Sequence, residues 1–254
     1  MSGVLLGAAT CTAAAQTAQD IAALKAKAHS GDAKAQSDLG MKYETGIGVP
    51  LDFTQAVFWL RKAAEKGNAD AQYDLARLYD FGSGVHQDYG QAASWYRKAA
   101  EQGDAYAQYA LAYAYAKGQG VPLDHKEAAR WAQKSAEQGL ATAQHSIGAA
   151  YWVGEGVPQD YAQAAYWFRK AAEQGDADSQ YSLGMLYYFG QGVPQDYAEA
   201  YFWLDVAAPS VEGIKPEDAV KMRNYAAAYL DNSVLLQTQA RARKWFEDHP
   251  AKMP

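Results

Sequence analysis

Cysteine is almost absent from this sequence: one residue, Cys11, occurs among 254. A framework of internal disulfide bonds is therefore excluded, and so is a metal site built from several cysteines. Histidine is also scarce, and no two of the five histidines share ligand spacing on one helix face. The motifs G-x-S-x-G, S-x-x-K and H-E-x-x-H, which accompany hydrolytic chemistry, are missing. We therefore predict no catalytic residue, no metal site and no cofactor.

Positive charge and long apolar runs are lacking as well. The net charge is −6, which argues against a nucleic-acid partner because phosphate binding needs a basic stripe. Arg–Lys pairs do recur at 61–62, 97–98 and 169–170, but glutamates lie nearby, which indicates a mixed, solvated helix face. No charge-free apolar run of 18 residues follows residue 19, so we predict no transmembrane span.

The first 19 residues differ from the rest of the chain because they carry no charge and are rich in Ala, Thr, Gly and Leu. Val4–Ala9 resembles the apolar part of a secretory signal, and Ala13–Ala15 resembles a small-residue cleavage site, although the positive start of a signal is missing. We expect residues 1–19 to be a signal-like segment and the protein to be periplasmic or secreted. The alternative is a disordered tail on a cytoplasmic protein.

The most regular feature that is present is a loop motif with a period of 36 residues. G-x-G-V-P occurs four times and G-S-G-V-H once, at Gly46–Pro50, Gly82–His86, Gly118–Pro122, Gly154–Pro158 and Gly190–Pro194. A period of this length predicts an array of short helical hairpins, in which the glycines supply positive φ between the two helices.

The first helix of each hairpin follows a glycine at Gly31 and its equivalents. In the first copy Ala35, Leu39, Gly40 and Tyr43 fall on one helical face. The residue at the Gly40 position is Gly or Ala in every copy, which predicts close approach of a neighbouring helix.

The second helix of each hairpin begins at an aspartate. These are Asp52, Asp88, Asp124, Asp160 and Asp196, each followed three residues later by Gln or Glu. That spacing predicts a capping box, in which the aspartate accepts from a first-turn amide and the Gln or Glu reaches back to the aspartate amide. A tryptophan also recurs once per repeat, at Trp59, Trp95, Trp131, Trp167 and Trp203, and is predicted to lie in the core.

These motifs together resemble the Sel1-like repeat family. The pattern G-D-A-x-A-Q, L-G-x-x-Y, G-x-G-V-P-x-D-Y and A-x-x-W-[YF]-R-K-A-A-E-Q-G covers residues 31–210 as five repeats. The resemblance implies an all-α fold, a right-handed α-solenoid of antiparallel helix pairs related to tetratricopeptide arrays. It also implies an adaptor or scaffold role, often in the bacterial envelope. One branch carries a disulfide in each repeat, and its properties do not transfer to this chain.

Two departures and the chain ends complete the domain prediction. His86 replaces the loop proline, and Leu140 replaces the Asp or Asn that starts the first helix elsewhere. Residues 20–30 are predicted to be a capping half-repeat, with Leu24 in the Leu60 column. Residues 211–254 are predicted to be a C-terminal cap of two divergent helices.

The predicted binding surface is the concave groove, which the first helices line in arrays of this kind. Positions that face the groove vary between repeats and are rich in aromatic residues, which are common interface anchors. The candidate partner-binding residues are Tyr73, Arg77, Asp80, Phe81, Tyr106, Tyr109, Tyr113, His145, Trp152, Tyr181 and Tyr188. The recurring Tyr73, Tyr109 and Tyr181 have an alternative role, namely packing between hairpins.

We therefore predict a non-catalytic scaffold or adaptor that binds an extended segment of another protein in this groove, within the bacterial cell envelope. A glycan is the second candidate ligand. An envelope hydrolase that uses the groove as a substrate cleft, and a purely structural spacer, are the competing functions.

Overall fold

The computed structural model describes residues 19–209 and 216–250, and every regular element in them is an α-helix. Helix α1 covers residues 19–29. It is followed by α2 (Ala33–Thr45), α3 (Phe53–Glu65), α4 (Ala69–Phe81), α5 (Tyr89–Glu101), α6 (Ala105–Lys117), α7 (His125–Glu137), α8 (Ala141–Val153), α9 (Tyr161–Ala172), α10 (Ala177–Phe189), α11 (Tyr197–Ala207), α12 (Pro216–Ala227) and α13 (Asn232–Asp248). Residues 1–18 of the predicted signal segment lie outside the described residues.

The helices are distributed over two compact units, the first ending at Leu123 and the second beginning at Asp124. Within the first unit each helix from α2 to α6 packs against the next one along the chain. Within the second unit the same holds from α7 to α12, and α13 packs against α11. The all-α helical-repeat fold predicted from the sequence is thus confirmed.

The end helices bury apolar surface on the hairpins next to them. In the first unit, Ala28 of α1 is fully buried in a cluster with Leu39 and Trp59. In the second unit, Ala242 of α13 is buried in the cluster that contains Phe202 and Trp203. The recurring tryptophans are buried at four of the five positions, while Trp95 is only half-buried and lies beneath the ammonium group of Lys98.

The second-helix aspartates cap their helices as predicted. Asp52, for example, accepts a hydrogen bond from the Gln55 amide at 3.0 Å. The predicted return bond to the aspartate amide is wrong at four positions. There the amide donates instead to a tyrosine carbonyl near the end of the preceding first helix, as from Asp52 to Tyr43 at 2.9 Å. The pairs are Asp52–Tyr43, Asp88–Tyr79, Asp160–Tyr151 and Asp196–Tyr187. One aspartate therefore both starts the second helix and ties it to the first.

The first helices are capped in the same way, with one exception. The Asp or Asn side chain before α2, α4, α6 and α10 accepts from a first-turn amide. Leu140 precedes α8 and makes no side-chain cap bond, as its replacement of Asp or Asn predicts.

The glycines have a role beyond the positive φ that the sequence predicts. A Cβ on Gly156 would lie 1.9 Å from the His125 carbonyl oxygen, at the start of the second helix of the preceding hairpin. Gly84 and Gly192 lie equally close to the backbone of Phe53 and Tyr161. The predicted close approach at Gly40 is also observed, because a Cβ there would lie 2.6 Å from Leu60 Cγ.

A ladder of buried glutamines supports each hairpin, and the sequence analysis missed it. The members are Gln36, Gln72, Gln108, Gln144 and Gln180, and each Nε2 donates to the carbonyl eight residues earlier at 3.0–3.1 Å. The Oε1 of Gln72 accepts in turn from Gln102 at 2.7 Å. In the first hairpin Lys66 occupies the position of Gln102, and it donates to the Gly31 carbonyl. As a result Gln36 Oε1 is the buried side-chain polar atom without a hydrogen-bond partner among the described residues.

We therefore predict that Lys66→Gln stabilises the protein. The new amide would donate to Gln36 Oε1 as Gln102 does to Gln72, and it can replace the bond to Gly31, since Gln174 donates to the equivalent Gly139 carbonyl at 3.0 Å. The free energy of unfolding, measured by urea denaturation, should rise by about 1 kcal/mol. Lys66→Ala is the control because it removes the ammonium group without adding a donor. Equal stability of the two variants would contradict the prediction.

Candidate functional site

In the first unit the structure brings several predicted binding residues together on α4 and α6. The rings of Tyr73 and Tyr106 are 6.1 Å apart, and the Arg77 guanidinium lies 5.9 Å from the centre of the Tyr73 ring. Tyr106 and Tyr113 are 58% and 49% exposed, and Phe81 is 71% exposed at the end of α4. Tyr109 lies half-buried between them on α6. Large aromatic side chains with this exposure are suited to contact a partner.

Arg77 is held between two carboxylates, those of Glu44 and Asp74. Its guanidinium donates to Glu44 at 3.0 Å and to Asp74 at 3.3 Å. Asp74 is only 9% exposed, and its burial, together with the charge of Glu44, raises the pKa of the carboxyl group to about 6. The ion pairs with Arg77 oppose that shift without cancelling it.

A second feature of this surface is a small recess beside Asp80. Three tyrosines form its walls, Tyr89, Tyr96 and Tyr113, and its volume is about 20 Å³. The remaining lining residues are Ala92, Ala93, Ala110, Ala114 and Gln119. The Tyr96 hydroxyl donates to Asp80 Oδ2 over 3.4 Å. Burial raises the pKa of both the Asp80 carboxyl and the Tyr96 hydroxyl.

Tyr96 was missed as a site residue, although the sequence carries a signal for it. It occupies the column of Leu60, Ala132, Phe168 and Leu204, so it is the polar member of an otherwise apolar set. We call the residues Glu44, Tyr73, Asp74, Arg77, Asp80, Tyr89, Tyr96, Tyr106 and Tyr113 the acidic tyrosine patch.

In the second unit His145 and Trp152 are both supported by buried Phe168. The His145 ring lies 5.6 Å from the Phe168 ring, and Trp152 meets Phe168 edge to face at 5.9 Å. His145 Nδ1 also lies 2.9 Å from Ser179 Oγ. These two residues therefore contribute to packing as well as to the surface.

Tyr188 belongs to a separate aromatic group in the second unit. The rings of Tyr197 and Tyr229 stack at 4.3 Å, and Tyr188 meets both of them edge to face. Phe189 lies against Tyr188 at 5.1 Å and is 54% exposed, while Tyr229 is 62% exposed. We call Tyr188, Phe189, Tyr197 and Tyr229 the tyrosine cluster. Tyr181, also on α10, is half-buried, and burial and Asp218 together raise the pKa of its hydroxyl.

The sequence analysis did not include Tyr197 and Tyr229 in the site. Tyr197 comes directly after the cap residue Asp196. Every repeat has an aromatic residue or a histidine at the position of Tyr197, which favours a structural role for that residue. Tyr229 lies in the divergent C-terminal segment, where the repeat alignment ends.

The described residues contain neither a grouped set of metal ligands nor a membrane-spanning helix. No three or more His, Cys, Asp or Glu side chains there are grouped so that they could hold a metal ion. No helix in the same residues is long and apolar enough to cross a membrane.

We predict that Asp74→Asn changes stability in a pH-dependent way. Because the folded pKa of about 6 exceeds the usual value of 3.8, the folded state gains stability from the protonated carboxyl below pH 4 and loses it as the pH rises through 6. Asparagine carries no charge at either pH and can still accept from Arg77. Between pH 4 and pH 7 the free energy of unfolding of the variant should therefore rise, relative to that of wild type, by up to about 3 kcal/mol. The measurement is urea unfolding at each pH. Glu65→Gln, which removes an exposed carboxylate that is not among the causes of the Asp74 shift, is the control for loss of charge. A pH-independent difference for Asp74→Asn would contradict the prediction.

Comparison with known proteins places these repeats in a family. The Sel1 repeat model matches residues 33–68, 69–104, 105–140, 141–176 and 177–208. A solved Sel1 repeat protein from Oxalobacter formigenes is 33% identical over 83% of this chain and 86% of that chain, with a TM-score of 0.73. A protective antigen of uropathogenic Escherichia coli strains with an SLR fold is 45% identical over 74% of this chain, with a TM-score of 0.71. This chain spans 40% of the length of that antigen. The search of curated proteins gave no match. The chain belongs to the Sel1 repeat family, and five Sel1 repeats make up the larger part of it.

Proposed function

We propose that this protein is a non-catalytic interaction module that binds an extended segment of another protein along the exposed side of its first helices. The observation that carries the proposal is the acidic tyrosine patch, where α2, α4, α5 and α6 bring aromatic rings and charged groups together. Repeat arrays bind partners along extended surfaces of this kind.

The composition of the patch suits a protein ligand. Tyrosines offer a large contact area with few rotatable bonds and a polar tip, which is why they anchor many interfaces. Three carboxylates, those of Glu44, Asp74 and Asp80, lie on the first helices here, with two cations, Arg77 and Lys117. A partner segment that carries positive charge would therefore be favoured on approach.

The tyrosine cluster of the second unit supports the same role. Its exposed rings form a contiguous aromatic surface at the end of α10 and α12, and surfaces of this kind on soluble proteins commonly mark interaction sites. Membership of the Sel1 repeat family also supports an interaction role, although it does not identify the partner.

The proposal predicts that Phe81→Ala combined with Tyr106→Ala weakens partner binding without unfolding the protein. Both side chains are more than half exposed, so the stability cost should stay within about 0.5 kcal/mol. Loss of two aromatic anchors should weaken binding about tenfold or more. The measurement is affinity purification of the tagged chain from the source cells, with quantitative mass spectrometry of the proteins that co-purify.

A matched control uses exposed aromatic residues on second helices. Phe58 and Tyr166 are 48% and 50% exposed, and the double variant Phe58→Ala/Tyr166→Ala should retain the partner. Loss of the partner only in the control variant would move the interface to the second helices. If neither variant changes what co-purifies, the proposed surface is wrong, and a glycan array and a spacer role become the next alternatives to test.

Export to the cell envelope is the second part of the proposal. It is supported by the uncharged, Ala-rich residues 1–19 and by the E. coli relative, which is described as a protective antigen. Fractionation of the source cells should place the mature chain in the periplasmic or secreted fraction, shortened near Ala15. A full-length chain confined to the cytoplasmic fraction would contradict export and leave the interaction proposal unaffected.

A further inference from the structure

The recess beside Asp80 has the composition of a site for a small cation. Three tyrosines line it, Tyr89, Tyr96 and Tyr113, together with one carboxylate from Asp80. The faces of aromatic rings carry partial negative charge and attract ammonium groups, most strongly where water is partly excluded. A carboxylate beside such rings adds a full negative charge and a hydrogen-bond acceptor.

The recess is held open by contacts that do not depend on a ligand. Gln87 Nε2 donates both to the Asp80 carbonyl at 2.7 Å and to the Tyr89 hydroxyl at 3.0 Å, which fixes one wall. Tyr96 is 5% exposed and directs its hydroxyl to Asp80, which fixes another. Tyr89 and Tyr113 are 38% and 49% exposed, so the recess can be reached from solvent between them.

Comparison between repeats shows that this combination is specific to one of them. The position of Asp80 is Glu44, Ala116, Trp152 and Tyr188 in the other copies, and that of Tyr96 is Leu60, Ala132, Phe168 and Leu204. Replacement of an apolar core residue by tyrosine is not required by the fold, since four other copies form the same hairpin without it. A local function is therefore the better explanation for the pair.

The size of the recess restricts the cation. A volume of about 20 Å³ holds about one water-sized group. The ammonium group of lysine is compact and donates three hydrogen bonds, whereas the planar guanidinium of arginine and a trimethylammonium group are larger. Four alanines and Gln119 complete the lining, and the alanines suit the methylene chain that precedes an ammonium group.

We propose that this recess is a lysine-binding subsite, which accepts the ammonium group of a lysine side chain from the partner segment. The inference rests on the proposed interaction function and names one residue type that the partner must supply. The lysine ammonium group would lie between the rings of Tyr89 and Tyr113 and donate to the Asp80 carboxylate.

Two cations of the protein itself lie near the recess and must be distinguished from a ligand. Arg77 stacks on Tyr73 and is occupied by Glu44 and Asp74, so it does not fill the recess. Lys117 lies 6.0 Å from the centre of the Tyr113 ring but is not among the residues that line the recess.

The test is an NMR titration of the intact chain with Nα-acetyl-lysine methylamide, observing the backbone amides of Asp80, Tyr89 and Tyr113. The arginine and norleucine methylamides are the comparison probes, since one has a larger cation and the other has no charge. We expect saturable shifts with the lysine probe and weaker binding of both comparison probes. Tyr113→Leu and Asp80→Asn should each weaken lysine binding about three- to tenfold.

Tyr166→Leu is the matched control, because Tyr166 is an exposed tyrosine of the second unit that does not line the recess, and it should leave lysine binding unchanged. Lys117→Met should leave the affinity for the lysine probe unchanged or increase that affinity. Equal shifts with the lysine and norleucine probes, or lysine binding that survives both Tyr113→Leu and Asp80→Asn, would overturn the subsite. If circular dichroism shows that one of these two variants is unfolded, the lysine titration of the other variant decides the test.

Failure of this test is distinguishable from failure of the proposed function. The probes require no partner, so a negative titration together with a partner lost in the Phe81/Tyr106 variant removes only the lysine subsite. A positive titration with no partner lost would retain the subsite and remove the adaptor role from this surface.

Discussion

Successive hairpins contact each other directly through their backbones, and this contact limits how close together they can lie. The second glycine of the loops at Gly84, Gly120, Gly156 and Gly192 lies so close to the first turn of the preceding second helix that a Cβ would overlap main-chain atoms. Because main-chain atoms cannot rotate away, this contact sets how far one hairpin lies from the next. The recurrence of the glycine every 36 residues therefore reflects a steric limit as well as a turn conformation.

That spacing determines which side chains meet on the surface. The first helices of neighbouring hairpins are close enough for Arg77 to pair with Glu44, which lies 33 residues earlier. The same distance allows the rings of Tyr73 and Tyr106 to meet. Similar contacts recur on the second helices, where Arg61 donates to the Tyr79 hydroxyl at 2.6 Å and Arg97 donates to the Tyr115 hydroxyl. The arginines that seemed to belong to a solvated face thus also connect neighbouring repeats. Residues at fixed repeat positions provide the scaffold, and variable positions on the same scaffold are left to specify a ligand.

Sequence reasoning predicted the local features of each helix and missed contacts that depend on how the helices pack. The helix caps, the closing glycines and the core columns follow from recurrence, because each copy supplies independent evidence for the same local role. The amide of Asp52 was assigned to the wrong partner because the nine-residue reach to Tyr43 depends on how the two helices pack, which local spacing does not reveal. Asp74 and Tyr96 were missed for a related reason. Their importance comes from contacts with residues 16 to 30 positions away, and those distances are known only after the hairpins are stacked.

The acidic tyrosine patch is costly for the fold, and that cost bears on its role. A buried carboxylate whose pKa lies above its ordinary value is less stable ionised in the folded protein than in water, so Asp74 destabilises the first unit near neutral pH. The equivalent positions are Asp38, which is partly exposed, and the uncharged Ala110, Ser146 and Ser182, so three copies form the hairpin without a charge there. Tyr96 likewise places a hydroxyl where other copies have apolar side chains. The repeat fold thus requires neither a buried carboxylate at Asp74 nor a hydroxyl at Tyr96, and this supports the binding role that we propose for this surface.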